Sequence, residues 1–101
     1  MNESSKSAAA RRAAAETLAL QAMSWMATDP MLIGGFLAET GSSPAAIAQD
    51  LHRPAFLAAV LDYVLAEDQR VLALAENLGI RPQEVAASRA FLPGGDLPNW
   101  T

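Results

Sequence analysis

The chain has 101 residues, a hydrophobic fraction of 51%, a net charge of −4 and no cysteine. This length suits one domain with its own core, and without cysteine neither disulfide bonds nor thiolate chemistry is available. Residues 1–12 carry +2 (three basic groups, one acidic), whereas residues 13–101 carry −6 (four arginines, ten acidic residues), so most of the chain repels nucleic-acid phosphates.

The composition favours helices. Alanine and leucine dominate the apolar residues, and both enter helices at little cost, while no segment alternates as a half-buried strand does. We therefore predict an all-α fold, a compact bundle of about six short helices. The helical domain is placed at residues 16–92, between a frayed or disordered segment (1–15) and a Pro/Gly-rich tail (93–101).

The first predicted helix becomes regular at Glu16 and ends before Asp29. Its apolar residues share one arc: Leu18, Ala19, Ala22, Met23, Trp25 and Met26. Asp29 is a favourable N-cap and Pro30 a favourable first residue for helix two, which Gly41 ends. The expected buried stripe of helix two is Leu32, Ile33, Phe36 and Leu37.

Two adjacent glycines, Gly34 and Gly35, interrupt helix two at a cost of about 1 kcal/mol each relative to alanine. A functional interpretation is that they expose backbone to a ligand or partner. A structural interpretation, which we weight more heavily, is that they permit a close crossing against the central helix.

Four further helices are predicted. Ser43-Pro44 repeats the cap-and-proline pattern and starts helix three, while Pro54 starts helix four. Helix four is apolar around most of its circumference and is therefore expected at the centre of the bundle. Helix five follows Glu67-Asp68 and ends at Gly79, and helix six extends from Pro82 to about Leu92.

The pattern of helix stops, prolines and apolar residues repeats after 38 residues. Gly41 and Pro44 correspond to Gly79 and Pro82, and Trp25 corresponds to Tyr63. The chain would then contain two three-helix units, at 16–51 and 54–89, in a pseudo-two-fold arrangement. The alternative is that both Gly-x-x-Pro segments are ordinary helix junctions.

Motifs for catalysis and ligand binding are scarce. The single histidine, His52, has no second histidine or cysteine with which to form a metal site. Glu67-Asp68 complements the dipole of helix five, and no glycine-rich phosphate loop is present. We expect no catalytic residue, no metal and no cofactor. A small enzyme with an unrecognised site is the third-ranked hypothesis, and no secretion signal or membrane span is predicted.

Residues 72–92 resemble the helix-turn-helix of DNA-binding proteins. Gly79, Ile80 and Val85 occupy the turn and core positions of that pattern, whereas Ser88 replaces a usual apolar residue. A DNA-associated regulator using residues 70–92, with Arg81, Gln83 and Arg89 as contacts, is therefore the alternative function. The acidic body makes nucleic acid an unlikely partner.

Residues 18–30, 54–68 and 78–96 resemble a family of small, acidic, all-helical bacterial proteins classed as a domain of unknown function. The resemblance implies a bacterial cytoplasmic protein and transfers no functional residue. We expect a non-enzymatic protein–protein interaction domain, acting on an unknown partner or by self-association as a homodimer. The candidate partner-binding residues are Leu97, Trp100, Gly34 and Gly35.

The tail gives a first prediction. Leu97 and Trp100 lie among residues that resist helix formation, yet a docked tryptophan buries around 200 Å². We expect both side chains to fold back onto an apolar groove of their own bundle or of a second subunit. Truncation after Pro93 should lower the free energy of unfolding by about 1–3 kcal/mol in the first case and release monomers in the second. Thermal melts with light scattering separate these outcomes, and a truncation that changes neither quantity contradicts docking.

Overall fold

The computed structural model describes residues 2–94, with side chains from Ser7 onward. These residues form no strand and six helices: α1 (Asn2–Ala27), α2 (Pro30–Thr40), α3 (Pro44–Asp50), α4 (Pro54–Leu65), α5 (Asp68–Leu78) and α6 (Gln83–Arg89). The predicted all-α bundle is confirmed.

Helix α4 lies at the centre of the bundle. Its buried residues are Leu57, Ala58, Val60, Leu61, Tyr63 and Val64, and they cover most of its circumference. Helices α1, α2, α5 and α6 all pack against it. The near-continuous apolar surface predicted for this segment is therefore matched by neighbours on several sides.

The most extensive interhelical contact joins α1 to α4. On α1 the fully buried residues are Ala15, Ala19, Ala22 and Met26, at the i, i+4, i+7, i+11 spacing of one helix face. We call this contact the alanine seam. Because alanine projects only one carbon from the backbone, the seam permits a close approach of the two helix axes.

Helix α1 begins earlier than the sequence predicts. The sequence predicts a frayed or disordered segment at residues 1–15, whereas α1 extends from Asn2. The alanine-rich segment has high helix propensity and continues the packed helix without a break. Ala15 is fully buried, and the Arg11 guanidinium lies 5.7 Å from the centre of the Phe91 ring. The apolar periodicity of the sequence indicates neither of these contacts.

The predicted helix starts of α2 and α3 are confirmed in atomic detail. The Asp29 carboxylate accepts hydrogen bonds from the backbone N–H groups of Met31 (2.9 Å) and Leu32 (3.4 Å). The Ser43 hydroxyl accepts one from Ala46 N–H (3.1 Å). Both are N-caps followed by a proline at the first helical position.

Helix α6 is shorter than predicted. It begins at Gln83 rather than Pro82 and ends at Arg89 rather than near Leu92. After Arg89 the chain tightens into i→i+3 turns, with Phe91 N–H donating to Ser88 C=O and Leu92 N–H donating to Arg89 C=O. Pro93 contributes to this ending, because it has no N–H to donate to the Arg89 carbonyl four residues earlier.

The 38-residue correspondence is present in the helix boundaries. α2 (30–40) shifted by 38 becomes 68–78, which are the bounds of α5, and the end of α1 at 27 becomes 65, the end of α4. Gly41 and Gly79 both have left-handed backbones, with φ of 73° and 70°. Trp25 and Tyr63 each lie two residues before the end of their helix.

The third helices of the two predicted units have different surroundings. α6 packs on both α1 and α4 and buries Val85 completely, whereas α3 has no buried residue and much weaker contacts. The correspondence therefore holds for the bounds of α2 and α5 and for the ends of α1 and α4, whereas the third helices of the two units pack differently.

The two glycines of α2 have different environments. A Cβ atom on Gly35 would collide with the Tyr63 hydroxyl of α4, so this glycine permits the close crossing that the structural interpretation required. A Cβ atom on Gly34 would meet nothing within 4 Å, and the residue is exposed. Packing within the described residues thus explains why residue 35 is a glycine, but it does not explain why residue 34 is one.

This difference predicts opposite effects of two neighbouring substitutions. Gly34→Ala should raise the free energy of unfolding by about 0.5–1 kcal/mol, because alanine has the higher helix propensity and the space is open. Gly35→Ala should lower it by about 1–3 kcal/mol, because the methyl group overpacks against Tyr63. Urea denaturation measures both changes.

Tyr63→Phe provides the control for the second substitution. It removes the colliding hydroxyl, while the next ring atom, Cζ, lies 3.5 Å from the position that the new methyl group would take, an ordinary contact. Gly35→Ala should therefore be tolerated in the Tyr63→Phe background. An equal loss of stability in both backgrounds would show that the crossing does not depend on this contact.

Candidate functional site

Ionisable side chains do not converge into a site in the part of the chain that the structure describes. No group of three or more histidine, aspartate or glutamate side chains there could hold a metal ion. His52 is exposed in the turn between α3 and α4, and no described helix is long and apolar enough to cross a membrane.

Arg89, a candidate DNA contact, is engaged within the bundle. Its Nε donates to one carboxylate oxygen of Asp62 (2.6 Å) and its Nη2 to the other (3.2 Å). Its Nη1 donates to the carbonyls of Leu92 (3.3 Å) and Pro93 (2.9 Å). The side chain is only 18% exposed, so all three nitrogens connect α6, α4 and the segment after α6. We call this arrangement the Arg89 clamp.

The other two candidate DNA contacts lie at the solvent-exposed start of α6. Gln83 is exposed, and Arg81 is 80% exposed with its Nε 3.6 Å from the Glu84 carboxylate. Such an exposed i, i+3 pair contributes little stability, but Glu84 places a negative charge beside Arg81. The structure thus separates Arg81 and Gln83, which face solvent, from Arg89, which stabilises the fold.

The exposed apolar side chain that stands out is Met31, which is 84% exposed at the start of α2. It lines a groove of about 510 Å³ between the end of α1, the start of α2 and α5. The apolar part of this groove is formed by Trp25, Met31, Leu32, Tyr63 and Ala73. Its polar rim is formed by Asp29, Glu67, Gln69 and Arg70. We call it the Met31 groove.

The wall of the Met31 groove is held rigidly by aromatic contacts. The Tyr63 ring meets Phe36 edge-on at a centroid distance of 5.6 Å, and Phe36 meets Phe56 in the same way at 5.8 Å. Arg70 covers the Tyr63 ring, with its guanidinium carbon 3.8 Å from the ring centre. Edge-on pairs and a stacked cation each stabilise the packing beyond simple burial.

Trp25 extends the groove along α1. The partly buried indole also lines a second, uncharged depression of about 330 Å³. The other residues of that depression are Gln21, Ser24, Thr28, Asn77 and Leu78. The two depressions share Trp25, and residues of α1 and α5 line both of them. In the sequence, Trp25 is recognisable only as a core residue, and nothing there singles out Met31.

Two of the candidate partner-binding residues, Leu97 and Trp100, lie outside the described residues, so their docking stays a prediction. A third depression, of about 560 Å³, is lined by Arg12, Phe91, Leu92 and Pro93 among others. The last turns of the described chain therefore line this depression.

A family model described as a protein of unknown function (DUF3572) matches residues 12–95, most of the 101-residue chain. The chain belongs to this family. The resemblance to a domain of unknown function is thereby confirmed, and membership assigns no activity to any residue. No curated protein and no solved structure matches the chain.

The geometry of α6 generates a prediction about DNA. The acidic body and the engagement of Arg89 leave Arg81 as the exposed cation near the start of α6, next to Glu84. We expect no appreciable binding of duplex DNA at about 150 mM salt, because phosphate contacts supply most of non-specific affinity. A gel shift measures this, and micromolar or tighter binding that Arg81→Ala weakens would contradict the expectation and favour the helix-turn-helix hypothesis.

Proposed function

We propose that the chain is a non-enzymatic interaction domain whose Met31 groove receives an amphipathic helix of another protein. The observation that carries this proposal is the exposure of Met31. An 84% exposed methionine has almost no packing role in its own bundle, although it borders an apolar groove.

The chemistry of the groove supports a binding role. Methionine is flexible and polarisable, so it adapts to different apolar surfaces and is common where proteins bind partner helices. Trp25 lies partly buried beside it, and tryptophan is among the residues that contribute most to interfaces. Together they offer one adaptable and one rigid apolar contact.

The outer face of α2 adds to this surface. Met31, Gly34 and Ala38 are all exposed and follow one another at helical spacing, so they form an uncharged stripe. Gly34 has no side chain, so another backbone can approach it closely. No atom lies within 4 Å of the position that its Cβ would take, so packing inside the bundle does not require glycine here. A helix lying beside α2 could therefore contact both the stripe and the groove.

A helix suits the shape of the groove better than a small metabolite. The groove is open to solvent, whereas sites for small molecules are usually concave and enclose most of the ligand. Helix-in-groove recognition uses apolar anchors at i, i+3, i+4 and i+7, which can reach Met31 and Trp25 together. In this proposal the chain binds its partner in the bacterial cytoplasm.

The proposal predicts which surface substitution abolishes partner capture. A tagged chain carrying Met31→Asp should lose at least about tenfold of the partner recovered by the wild-type chain, because a charge replaces an interface anchor. Capture from the native cell with quantitative mass spectrometry measures the loss.

Leu72→Asp is the matched control. Leu72 is 56% exposed on α5 but does not line the Met31 groove, so capture should be unchanged. Both substitutions fall on exposed side chains and should alter stability by less than about 0.5 kcal/mol, which thermal melts verify. Equal capture by all three chains, or no protein recovered by the wild type, would count against the proposal.

A further inference from the structure

We infer that the helix received by the Met31 groove is basic along its flanks and comes from another protein rather than from a second copy of this chain. This inference rests on the proposed function and specifies the charge of the partner. It follows from the charged groups around the groove and from the way in which Arg70 is engaged.

The rim of the groove carries a net negative charge. Its charged residues are Asp29, Glu67 and Arg70, which sum to −1. Glu67 is 62% exposed and faces solvent, whereas the Arg70 side chain is only 17% exposed. An incoming segment therefore meets the Glu67 carboxylate before it meets the guanidinium.

Arg70 is committed to contacts inside the bundle. Its Nη1 donates to the Tyr63 carbonyl at 2.7 Å, and its Nη2 lies 3.5 Å from the Glu67 carboxylate. The guanidinium plane stacks on the Tyr63 ring at 3.8 Å. Because these partners hold Arg70 against the wall, it is poorly placed to attract an acidic segment.

The neighbouring sequence supplies no cation to offset these carboxylates. Between Arg12 and Arg53 there is no lysine or arginine, and that stretch contains four acidic residues: Glu16, Asp29, Glu39 and Asp50. The second half of α1 and all of α2, two of the four helices that line the groove, belong to this stretch. A net negative field attracts cationic partners and raises their association rate.

A second copy of this chain fits the groove poorly. In a two-fold dimer whose axis passes through the groove, the two acidic rims would face each other. The basic segment of the chain offers no better occupant, because residues 2–12 contain no apolar side chain larger than alanine. The partner must therefore supply both apolar anchors and positive charge.

Two designed peptides test the charge of the partner. Both are helices of about 18 residues, roughly five turns, with leucines at i, i+3, i+4 and i+7. One carries lysines on its flanks and the other carries glutamates at the same positions. We expect the basic peptide to bind the full chain at least about tenfold more tightly in fluorescence anisotropy, with the difference shrinking at high salt.

Gln69 gives a matched pair of variants, because it is exposed, uncharged and lines the groove. Gln69→Lys should weaken binding of the basic peptide about fivefold and Gln69→Glu should strengthen it by a similar factor, as expected for one exposed charge pair. Met31→Ser tests that the peptide occupies the groove, because it removes the apolar contact without adding a charge. It should weaken both peptides, whereas Leu72→Ser should weaken neither.

The outcomes distinguish this inference from the proposed function. Equal or tighter binding of the acidic peptide, with loss of binding in Met31→Ser, overturns the basic partner and leaves the groove as a docking site. Binding of the basic peptide that is unchanged in Met31→Ser and in both Gln69 variants overturns the inference, because the attraction is then non-specific. If neither peptide binds, the inference of a basic partner is also overturned. The capture experiment then still tests whether the Met31 groove binds a partner. A wild-type dimer in light scattering that Met31→Asp dissociates would identify the second copy as the occupant.

Discussion

The packing of α4 against α1, α2, α5 and α6 is the constraint on which the remaining structure depends. Six buried side chains of α4 bring these helices around one axis, and the surfaces that remain outside are set by that arrangement. Tyr63 shows the connection most directly. Its hydroxyl lies against Gly35, its ring edge meets Phe36, and its face carries Arg70. The same residue therefore fixes the crossing of α2 and the wall of the Met31 groove.

Much of the fold could be predicted from the sequence because helix caps and helix ends depend on residues that are close together in the chain. Asp29 and Ser43 cap helices through hydrogen bonds spanning two or three residues, and Gly41 and Gly79 end helices through their own backbone angles. Of the buried stripe predicted for α2, Phe36 is fully buried, whereas Leu32, Ile33 and Leu37 are partly buried. The start of α1 was missed because an alanine run has no apolar periodicity from which burial can be read.

The candidate site was less accessible from sequence because it depends on contacts between distant residues. Asp62 and Arg89 are 27 residues apart, and nothing in either segment indicates that the arginine is held by the fold rather than free to bind DNA. Met31 gave no signal of exposure, since an apolar residue in the first turn of an apolar helix is equally compatible with burial. Trp25 and Ala73 line the same groove, and this could be recognised only from the way in which α1 and α5 pack. The two glycines looked equivalent in sequence, and only the position of Tyr63 separated them.

The alanine seam restricts how this family can diverge. Every amino acid except glycine is larger than alanine, so almost any replacement of Ala15, Ala19 or Ala22 would push α1 away from α4. Glycine would fit but costs a helix about 1 kcal/mol. Almost no neutral substitution is therefore available at these three positions, whereas exposed rim residues such as Glu67 and Gln69 can change charge at little cost in stability. We therefore expect relatives of this chain to share the seam and to differ at these exposed rim positions.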